Sequence, residues 1–129
     1  MSRPVYASID AACGDSEAAW EKLRVAIRSD YDDIQGGTTA DGIHTGVMGA
    51  TLTVMMRDLA GVKLTGSELS VDPKLPKNWN KLSFSQKYRG NNYHFTFEHN
   101  TVTVSAEHNC LINIKGKEFK LESNQAVTY

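Results

Sequence analysis

The stretch from Asp41 to Leu52 holds the residues of this 129-residue sequence that are best suited to chemistry. A glycine-containing loop precedes Gly42 and His44, and an apolar stretch follows them. This order predicts a helix that starts at about Ile43, with Asp41 at or next to its N-cap. The first turn of a helix exposes free backbone N–H groups at the positive end of the helix dipole, and these can hold a phosphate or sulfate ion.

Two residues strengthen this interpretation. Gly42 has no Cβ to obstruct an approaching ligand, and His44 adds a side-chain donor to the first turn. A histidine at such a position is more often an ordinary surface or capping residue, so spacing alone leaves that alternative open. Gly46 and Gly49, three residues apart on the same predicted helix, are more typical of close packing between helices than of ligand contact.

Composition excludes several classes of partner. The sequence is 40% hydrophobic and 22% charged, with a net charge of −1, so no nucleic-acid partner is expected. No run approaches the ~20 apolar residues of a membrane span. The length fits one small domain or a piece of a larger protein. The polar first residues and Pro4 do not resemble a signal peptide, so a cytoplasmic location is expected.

The cysteines and the other histidines suggest no further chemistry. Cys13 falls in a predicted helix and Cys110 in the predicted sheet, and both are expected to be free, buried thiols. Three histidines lie in the β region at irregular separations and are predicted to be surface residues: His94, His99 and His108. No metal-ligand spacing appears, so neither a metal nor a cofactor is expected.

The first 61 residues show helical periodicity. Pro4 suits a first helical turn, Gly14 predicts the end of that helix, and Asp15 or Ser16 is predicted to cap the next. Apolar residues follow at helical spacing in the first helix (Val5, Ile9, Ala12) and in the second (Ala19, Trp20, Leu23, Ala26, Ile27). Trp20 is interpreted as a core residue.

The third predicted helix, from about Ile43 to Leu59, has little polar surface before Arg57. A helix that is apolar nearly all round is buried in a larger assembly. Two short helices and a small sheet cannot bury it fully, so the sequence is expected to be part of a larger protein.

After Gly61 the apolar residues alternate with polar ones, which predicts β-strands. The predicted strands are short: Val62–Leu64, Leu69–Val71, Leu82–Tyr88, Tyr93–Glu98, Thr101–Ala106, Leu111–Ile114, Glu118–Glu122 and Ala126–Thr128. Turn residues separate several of them, at Gly90-Asn91, His99-Asn100 and Lys115-Gly116-Lys117. Pro73 and Pro76 assign residues 72–81 to a surface connection. The pattern predicts an antiparallel β-sandwich over residues 62–129.

Four stretches resemble the C-terminal part of glycoside hydrolase family 65, and they occur in the same order as in the family. Along the chain they are Pro4–Ile9 with Gly14–Trp20, the acidic Asp30–Asp33, the run from Asp41 to Leu52, and Leu69–Phe84 followed by Tyr88-Arg89-Gly90. The resemblance covers nearly the whole chain and weakens to a strand pattern after about His99. It implies an α+β chain, in which residues 1–61 are the last helices of an incomplete α/α barrel catalytic domain and residues 62–129 are the C-terminal β-sandwich.

The resemblance also implies a function. Members of this family are inverting phosphorylases of disaccharides such as maltose, kojibiose, nigerose and trehalose, and they release β-glucose 1-phosphate. The residues expected to bind phosphate are His44, Gly42 and Thr45, and His44 matches the family histidine that contacts phosphate. No catalytic residue is expected in this chain, because the general acid of the family lies well upstream. Of the family's phosphate-contacting serine loop, at most Ser2 remains.

The expected partners follow from the same resemblance. They are the remainder of the catalytic barrel, a disaccharide and inorganic phosphate, and a second copy in a homodimer. The chain alone is expected to be inactive. Its acidic residues (Asp30, Asp32, Asp33, Asp41) are interpreted as a solvated loop with capping roles, and Tyr88-Arg89-Gly90 as a strand-end turn.

Two alternatives stay open. A hydrolase of the same family would use water where a phosphorylase uses phosphate, and His44 does not exclude it. A non-catalytic carbohydrate-binding module would need exposed aromatic rings. Phe84, Phe95 and Phe97 share the pattern of an inward face, which leaves only Trp79 and Tyr93 as candidate platforms.

Overall fold

The computed structural model describes residues 2–34, 36–37, 39–40, 42–65 and 68–129. The chain separates into two compact units, Met1–Leu59 and Ala60–Tyr129. The first unit is helical and the second is built of strands, so the predicted α+β class is confirmed. None of the helices among the described residues is long and apolar enough to cross a bilayer.

The helical unit begins with a hairpin of two helices, α1 (Arg3–Ala12) and α2 (Ser16–Arg28). Pro4 lies in the first turn of α1, where its missing N–H is not needed. Gly14 follows the helix with a φ of +89°, a conformation that favours glycine. The carboxylate of Asp15 accepts a hydrogen bond of 2.9 Å from the backbone N–H of Ala18. Asp15 is therefore the N-cap of α2, as predicted.

Small side chains form the contact between these helices. The buried positions are Pro4, Ala7 and Ala11 on α1, and Ala19, Leu23 and Ala26 on α2. An ion pair between Lys22 and Asp10 joins α2 to α1. Val5 is 60% exposed and Ile9 is 52% exposed, so their apolar side of α1 faces outward in this chain. Trp20 is only half-buried rather than a core residue.

The third helix differs from its prediction. α3 spans Thr45–Thr53 and continues as a π-helical segment, Val54–Leu59. It starts two residues after Ile43, because His44 is its N-cap and has a non-helical ψ of 85°. Asp41, the predicted N-cap, lies outside the described residues. Near the change from α to π geometry, the hydroxyl of Thr53 donates to the carbonyl of Gly49 at 2.9 Å, a contact that often bends or widens a helix.

The second unit consists of two four-stranded sheets. One sheet has the order β1 (Val62–Lys63), β2 (Leu69–Val71), β6 (Cys110–Ile114), β7 (Lys117–Leu121), and the other has the order β3 (Lys81–Tyr88), β4 (Asn91–Glu98), β5 (Val102–Ala106), β8 (Ala126–Thr128). The predicted antiparallel β-sandwich is confirmed, with β2 and β6 as its one parallel pair among the described strands.

The sandwich core combines inward residues of both sheets. Alternate residues of β4 are buried (Asn91, Tyr93, Phe95, Phe97). The three aromatic residues meet Ile112, Ile114 and Leu121 from the other sheet in one apolar cluster. The rings of Phe95 and Phe97 stack with centroids 6.0 Å apart. Burial of these side chains accounts for the strong alternation that the sequence shows.

Two-residue turns fix the register of two hairpins. Arg89 and Gly90 join β3 to β4 with φ values of 49° and 81°, and Lys115 and Gly116 join β6 to β7 with φ values of 49° and 82°. Positive φ at both central positions matches the right-handed twist of paired strands. The interpretation of Tyr88-Arg89-Gly90 as a turn is confirmed.

The side chain of Asn91 bonds the segment in which the chain crosses from one sheet to the other. The buried Asn91 donates to the carbonyl of His108 at 3.0 Å and accepts from the N–H of His108 at 2.9 Å. His108 lies between β5 and β6, where the chain leaves one sheet for the other. The amide of Asn91 thus satisfies both backbone groups of this residue.

Candidate functional site

A cavity of about 350 Å³ lies beside the start of α3. Its walls come from the N-terminal turn of α1 and from the stretch around His44: Pro4, Val5, Ile43, His44, Thr45, Gly46, Val47 and Ala50. His44 and Thr45, two of the residues predicted to bind phosphate, therefore border one cavity. Gly42, the third, is not among its lining residues.

His44 is held at two points by the carboxylate of Asp30. One oxygen of Asp30 accepts a hydrogen bond of 2.7 Å from the backbone N–H of His44, and the other lies 2.8 Å from the ring Nδ1. The Asp30 side chain is 12% exposed and that of His44 is 33% exposed. The pair joins the end of the α1–α2 hairpin to the N-cap of α3 across 14 residues of sequence.

The ionisation of Asp30 determines which ring nitrogen of His44 carries a proton. The hydrogen bond from the His44 backbone, and next the one from its ring, hold the pKa of Asp30 below its ordinary value, although burial acts in the opposite direction. An ionised carboxylate can only accept hydrogen bonds. Nδ1 of His44 must therefore carry the proton, which leaves Nε2 as the ring nitrogen available to a ligand.

The neighbouring acidic residues support the loop instead. Asp32 pairs with Arg28, whose Nε lies 2.6 Å from a carboxylate oxygen, and this bond lowers the pKa of Asp32. Asp33 accepts from the N–H of Gly37 at 2.9 Å. The hydroxyl of Thr39 donates to the carbonyl of Asp30 at 2.7 Å. Asp32 therefore supports the loop through an ion pair and Asp33 through a backbone hydrogen bond, whereas Asp30 bonds His44.

The start of α3 offers further donors. The N–H groups of Val47 and Met48 both bond the carbonyl of His44, at 2.9 and 3.2 Å. Among the described residues, nothing accepts a hydrogen bond from the N–H of Thr45 or of Gly46. These two N–H groups, at the positive end of the helix, can bind an anion.

The glycines of this stretch have no close neighbours among the described residues. Gly42 has a φ of +89°, a conformation that favours glycine, and a Cβ there would meet no described atom within 4 Å. A Cβ at Gly46 or Gly49 would also meet nothing within 4 Å. The described residues therefore place no packing partner against either of them.

Asp30 was not predicted from the sequence as a residue of the candidate site. Four carboxylates occur between positions 30 and 41, and neither charge nor spacing distinguishes the one that reaches His44. The available signal was the position of Asp30 shortly after the second predicted helix. A chain reversal there can bring the backbone of a later residue back to the Asp30 side chain.

The remaining candidate groups are three histidines and two cysteines. No cluster of three or more histidine, cysteine, aspartate or glutamate residues is found in the described part of the chain. His94, His99 and His108 are exposed, as predicted. Cys13 and Cys110 are free, but Cys13 is exposed and Cys110 is partly buried, so the prediction of buried thiols was wrong for Cys13.

A second cleft, of about 540 Å³, lies in the sandwich near Tyr88, Arg89 and Tyr93. Tyr93 is only 6% exposed, and burial, followed by a hydrogen bond with Cys110, raises its pKa to about 12. A ring buried to this extent cannot be an exposed platform for sugars, which removes one of the two predicted candidates. Trp79, the other, is half-buried.

Comparison with known families assigns each unit to a domain type. Residues 1–53 match the model of the "Glycosyl hydrolase family 65 central catalytic domain". Residues 62–121 match that of the "Glycosyl hydrolase family 65, C-terminal domain". The two matches lie in the same order as the helical unit and the sandwich.

Individual relatives agree with these matches. Trehalose 6-phosphate phosphorylase of Lactococcus lactis subsp. lactis (strain IL1403) is 43% identical over 122 residues, which is 95% of this chain and 16% of that protein. Kojibiose phosphorylase of Thermoanaerobacter brockii is 28% identical over 122 residues, which is 92% of this chain and 16% of that protein. This chain therefore spans less than a fifth of the length of either relative.

A solved structure shares the fold. A kojibiose phosphorylase-like protein from the human microbiome superposes with a TM-score of 0.84 over 98% of this chain and 19% of that chain, at 21% sequence identity.

Proposed function

This chain belongs to glycoside hydrolase family 65, and on that premise we propose that it is the C-terminal part of an inverting α-glucoside phosphorylase. The complete enzyme would transfer glucose from a disaccharide to inorganic phosphate, with release of β-glucose 1-phosphate and a free sugar. The observation that supports phosphate as the acceptor is the site at His44. Its ring is fixed through Nδ1 by Asp30, beside a cavity and beside two N–H groups at a helix start that bond no described residue.

Each residue of the proposed phosphate site has a separate role. Nε2 of His44 would bond phosphate in one of two ways: in the neutral ring it accepts from a protonated phosphate oxygen, and in the doubly protonated ring it donates to an unprotonated one. The N–H groups of Thr45 and Gly46 would donate to another phosphate oxygen. Gly42 would shape the loop through its positive φ. No general acid is assigned to this chain, since in the proposed enzyme a carboxylic acid from the preceding part of the barrel protonates the leaving oxygen.

The remaining parts of the proposal concern organisation. Residues 1–61 would complete the α/α barrel, and residues 62–129 would form a structural sandwich without catalytic residues. The partners would be the rest of the barrel, the disaccharide, phosphate and a second copy in a homodimer. A cytoplasmic location stays a prediction. Trehalose 6-phosphate is the first substrate to test, because the relative that is 43% identical is named a trehalose 6-phosphate phosphorylase.

The experiment uses the full-length enzyme that contains this sequence. It is incubated with trehalose 6-phosphate, trehalose, kojibiose, nigerose and maltose, with and without inorganic phosphate, and glucose and β-glucose 1-phosphate are quantified. Phosphate-dependent release of β-glucose 1-phosphate is expected with at least one of them. Release of free glucose at the same rate without phosphate would instead establish the hydrolase alternative. The purified 129-residue chain is the matched blank and is expected to release neither product.

A further inference from the structure

We propose that Asp30 is a positioning residue for phosphate binding, which holds His44 so that Nε2 faces the anion. This inference rests on the proposed function, because it assigns a second residue to the same phosphate site. In this proposal the carboxylate of Asp30 belongs to the phosphate site although it does not contact phosphate.

The geometry of the pair carries the argument. Asp30 bonds both the backbone N–H and the ring Nδ1 of His44, at 2.7 and 2.8 Å, so one carboxylate fixes the backbone and the ring together. His44 makes no side-chain capping bond to its own helix. In an imidazole ring Nδ1 and Nε2 lie on different sides, so a ring held through Nδ1 directs Nε2 away from the carboxylate.

The backbone bond has a second effect. The N–H of His44 is the donor immediately before the N–H groups of Thr45 and Gly46, which bond no described residue. Because Asp30 occupies it, an anion at the helix start is left with those two N–H groups and with Nε2. Asp30 therefore determines which hydrogen-bonding groups the site presents, in the manner of an outer-shell residue that orients a ligand.

An asparagine at position 30 cannot reproduce this arrangement. Its side chain has one acceptor oxygen and one NH₂ group, whereas His44 presents two donors to Asp30. Either the backbone N–H or Nδ1 would face the NH₂ group, and the ring would rotate or change tautomer. Asp32 offers the matched control, because it lies in the same loop and bonds Arg28 rather than His44.

The test compares Asp30→Asn, His44→Ala, the double variant and Asp32→Asn in the full-length enzyme. Phosphate and disaccharide saturation curves are measured for each. Asp30→Asn is expected to raise the phosphate KM about tenfold, as loss of an orienting partner typically does, with the disaccharide KM within about twofold of the wild type. Asp32→Asn is expected to leave both values unchanged. The double variant is expected to raise the phosphate KM by much less than the product of the two single increases, because loss of the ring removes the part of the Asp30 effect that acts through Nδ1.

The outcomes separate the two proposals. An unchanged phosphate KM in His44→Ala would overturn the proposed phosphate site itself. A raised value in His44→Ala with a wild-type value in Asp30→Asn would overturn only the positioning role, and so would a full additional increase in the double variant. If Asp30→Asn does not fold, Asp30→Glu decides in the same way. Its oxygens lie one methylene further out, so an intermediate phosphate KM supports the inference and a wild-type value overturns it.

Discussion

A Cβ atom placed on Gly61 would lie 1.9 Å from the carbonyl oxygen of Asp72. The two residues flank the β1–β2 hairpin, and the N–H of Asp72 donates to the carbonyl of Gly61 at 3.1 Å. Gly61 also has a φ of +67°. Only glycine satisfies both the close approach and the backbone conformation at this position.

Gly61→Ala is therefore expected to destabilise the sandwich by more than about 2 kcal/mol, because the clash adds to the backbone strain. Gly116→Ala is the matched control: its φ is +82°, but a Cβ there meets nothing within 4 Å. It is expected to cost about 1 kcal/mol from strain alone. Urea unfolding followed by the fluorescence of Trp79, in a Trp20→Phe background, measures both. Equal losses in the two variants would show that the contact with Asp72 relaxes.

His44→Ala in the full-length enzyme is expected to raise the phosphate KM by roughly ten- to hundredfold. A charge-assisted hydrogen bond contributes about 1.5–3 kcal/mol, which corresponds to that range. The KM for the disaccharide should change little, because the substitution removes no proposed sugar contact. His94→Ala, at an exposed histidine of β4, is the control and should change neither value. A wild-type phosphate curve for His44→Ala would identify His44 as a capping residue only.

The raised pKa of Tyr93 leads us to expect that the sandwich loses stability in strong base. The pKa of Tyr93 is raised to about 12, whereas an unfolded tyrosine ionises near pH ~10. Between these values the unfolded chain has released the proton and the folded sandwich has kept it, so stability falls as pH rises from about 10 to 12. Urea unfolding at several pH values should show a smaller decline for Tyr93→Phe. Tyr31→Phe, at an exposed position, should decline like the wild type. The same slope in all three proteins would contradict the assignment.

The helical unit is expected to associate when the chain is studied alone. Val5 and Ile9 are exposed and line an apolar groove of about 400 Å³ with residues of α3. Burial of such a surface contributes about 25 cal/mol per Å². Val5→Lys/Ile9→Lys should therefore shift the chain toward monomer in sedimentation and reduce binding of a hydrophobic dye. Leu111→Lys, at an exposed leucine of β6, should do neither. A wild-type monomer at high concentration that binds no dye would contradict this.

The strands were predictable because their signals are local. Alternation placed every strand within about two residues of its observed bounds, and the positive-φ turns at Arg89-Gly90 and Lys115-Gly116 fixed two registers. The parallel pairing of β2 with β6 was not predictable. Forty residues separate Leu69 from Cys110, with three strands between them, and an apolar pattern of three to five residues does not encode its partner.

The site was only partly predictable for a related reason. The sequence located His44 and the approximate helix start, but the start itself depends on Asp30, 14 residues earlier. Periodicity in α1 correctly indicated a helix, yet it could not show that Ala7 and Ala11 would pack inward while Val5 and Ile9 faced out. Small residues signal little hydrophobicity, although they allow α1 and α2 to approach closely.

The bond between Asn91 and His108 has a consequence for amide hydrogen exchange. The N–H of His108 is protected by a side chain rather than by a neighbouring strand. Its exchange therefore reports the opening of the crossover between the sheets, separately from the opening of either ladder. This proton therefore distinguishes separation of the two sheets at the crossover from fraying at their edges.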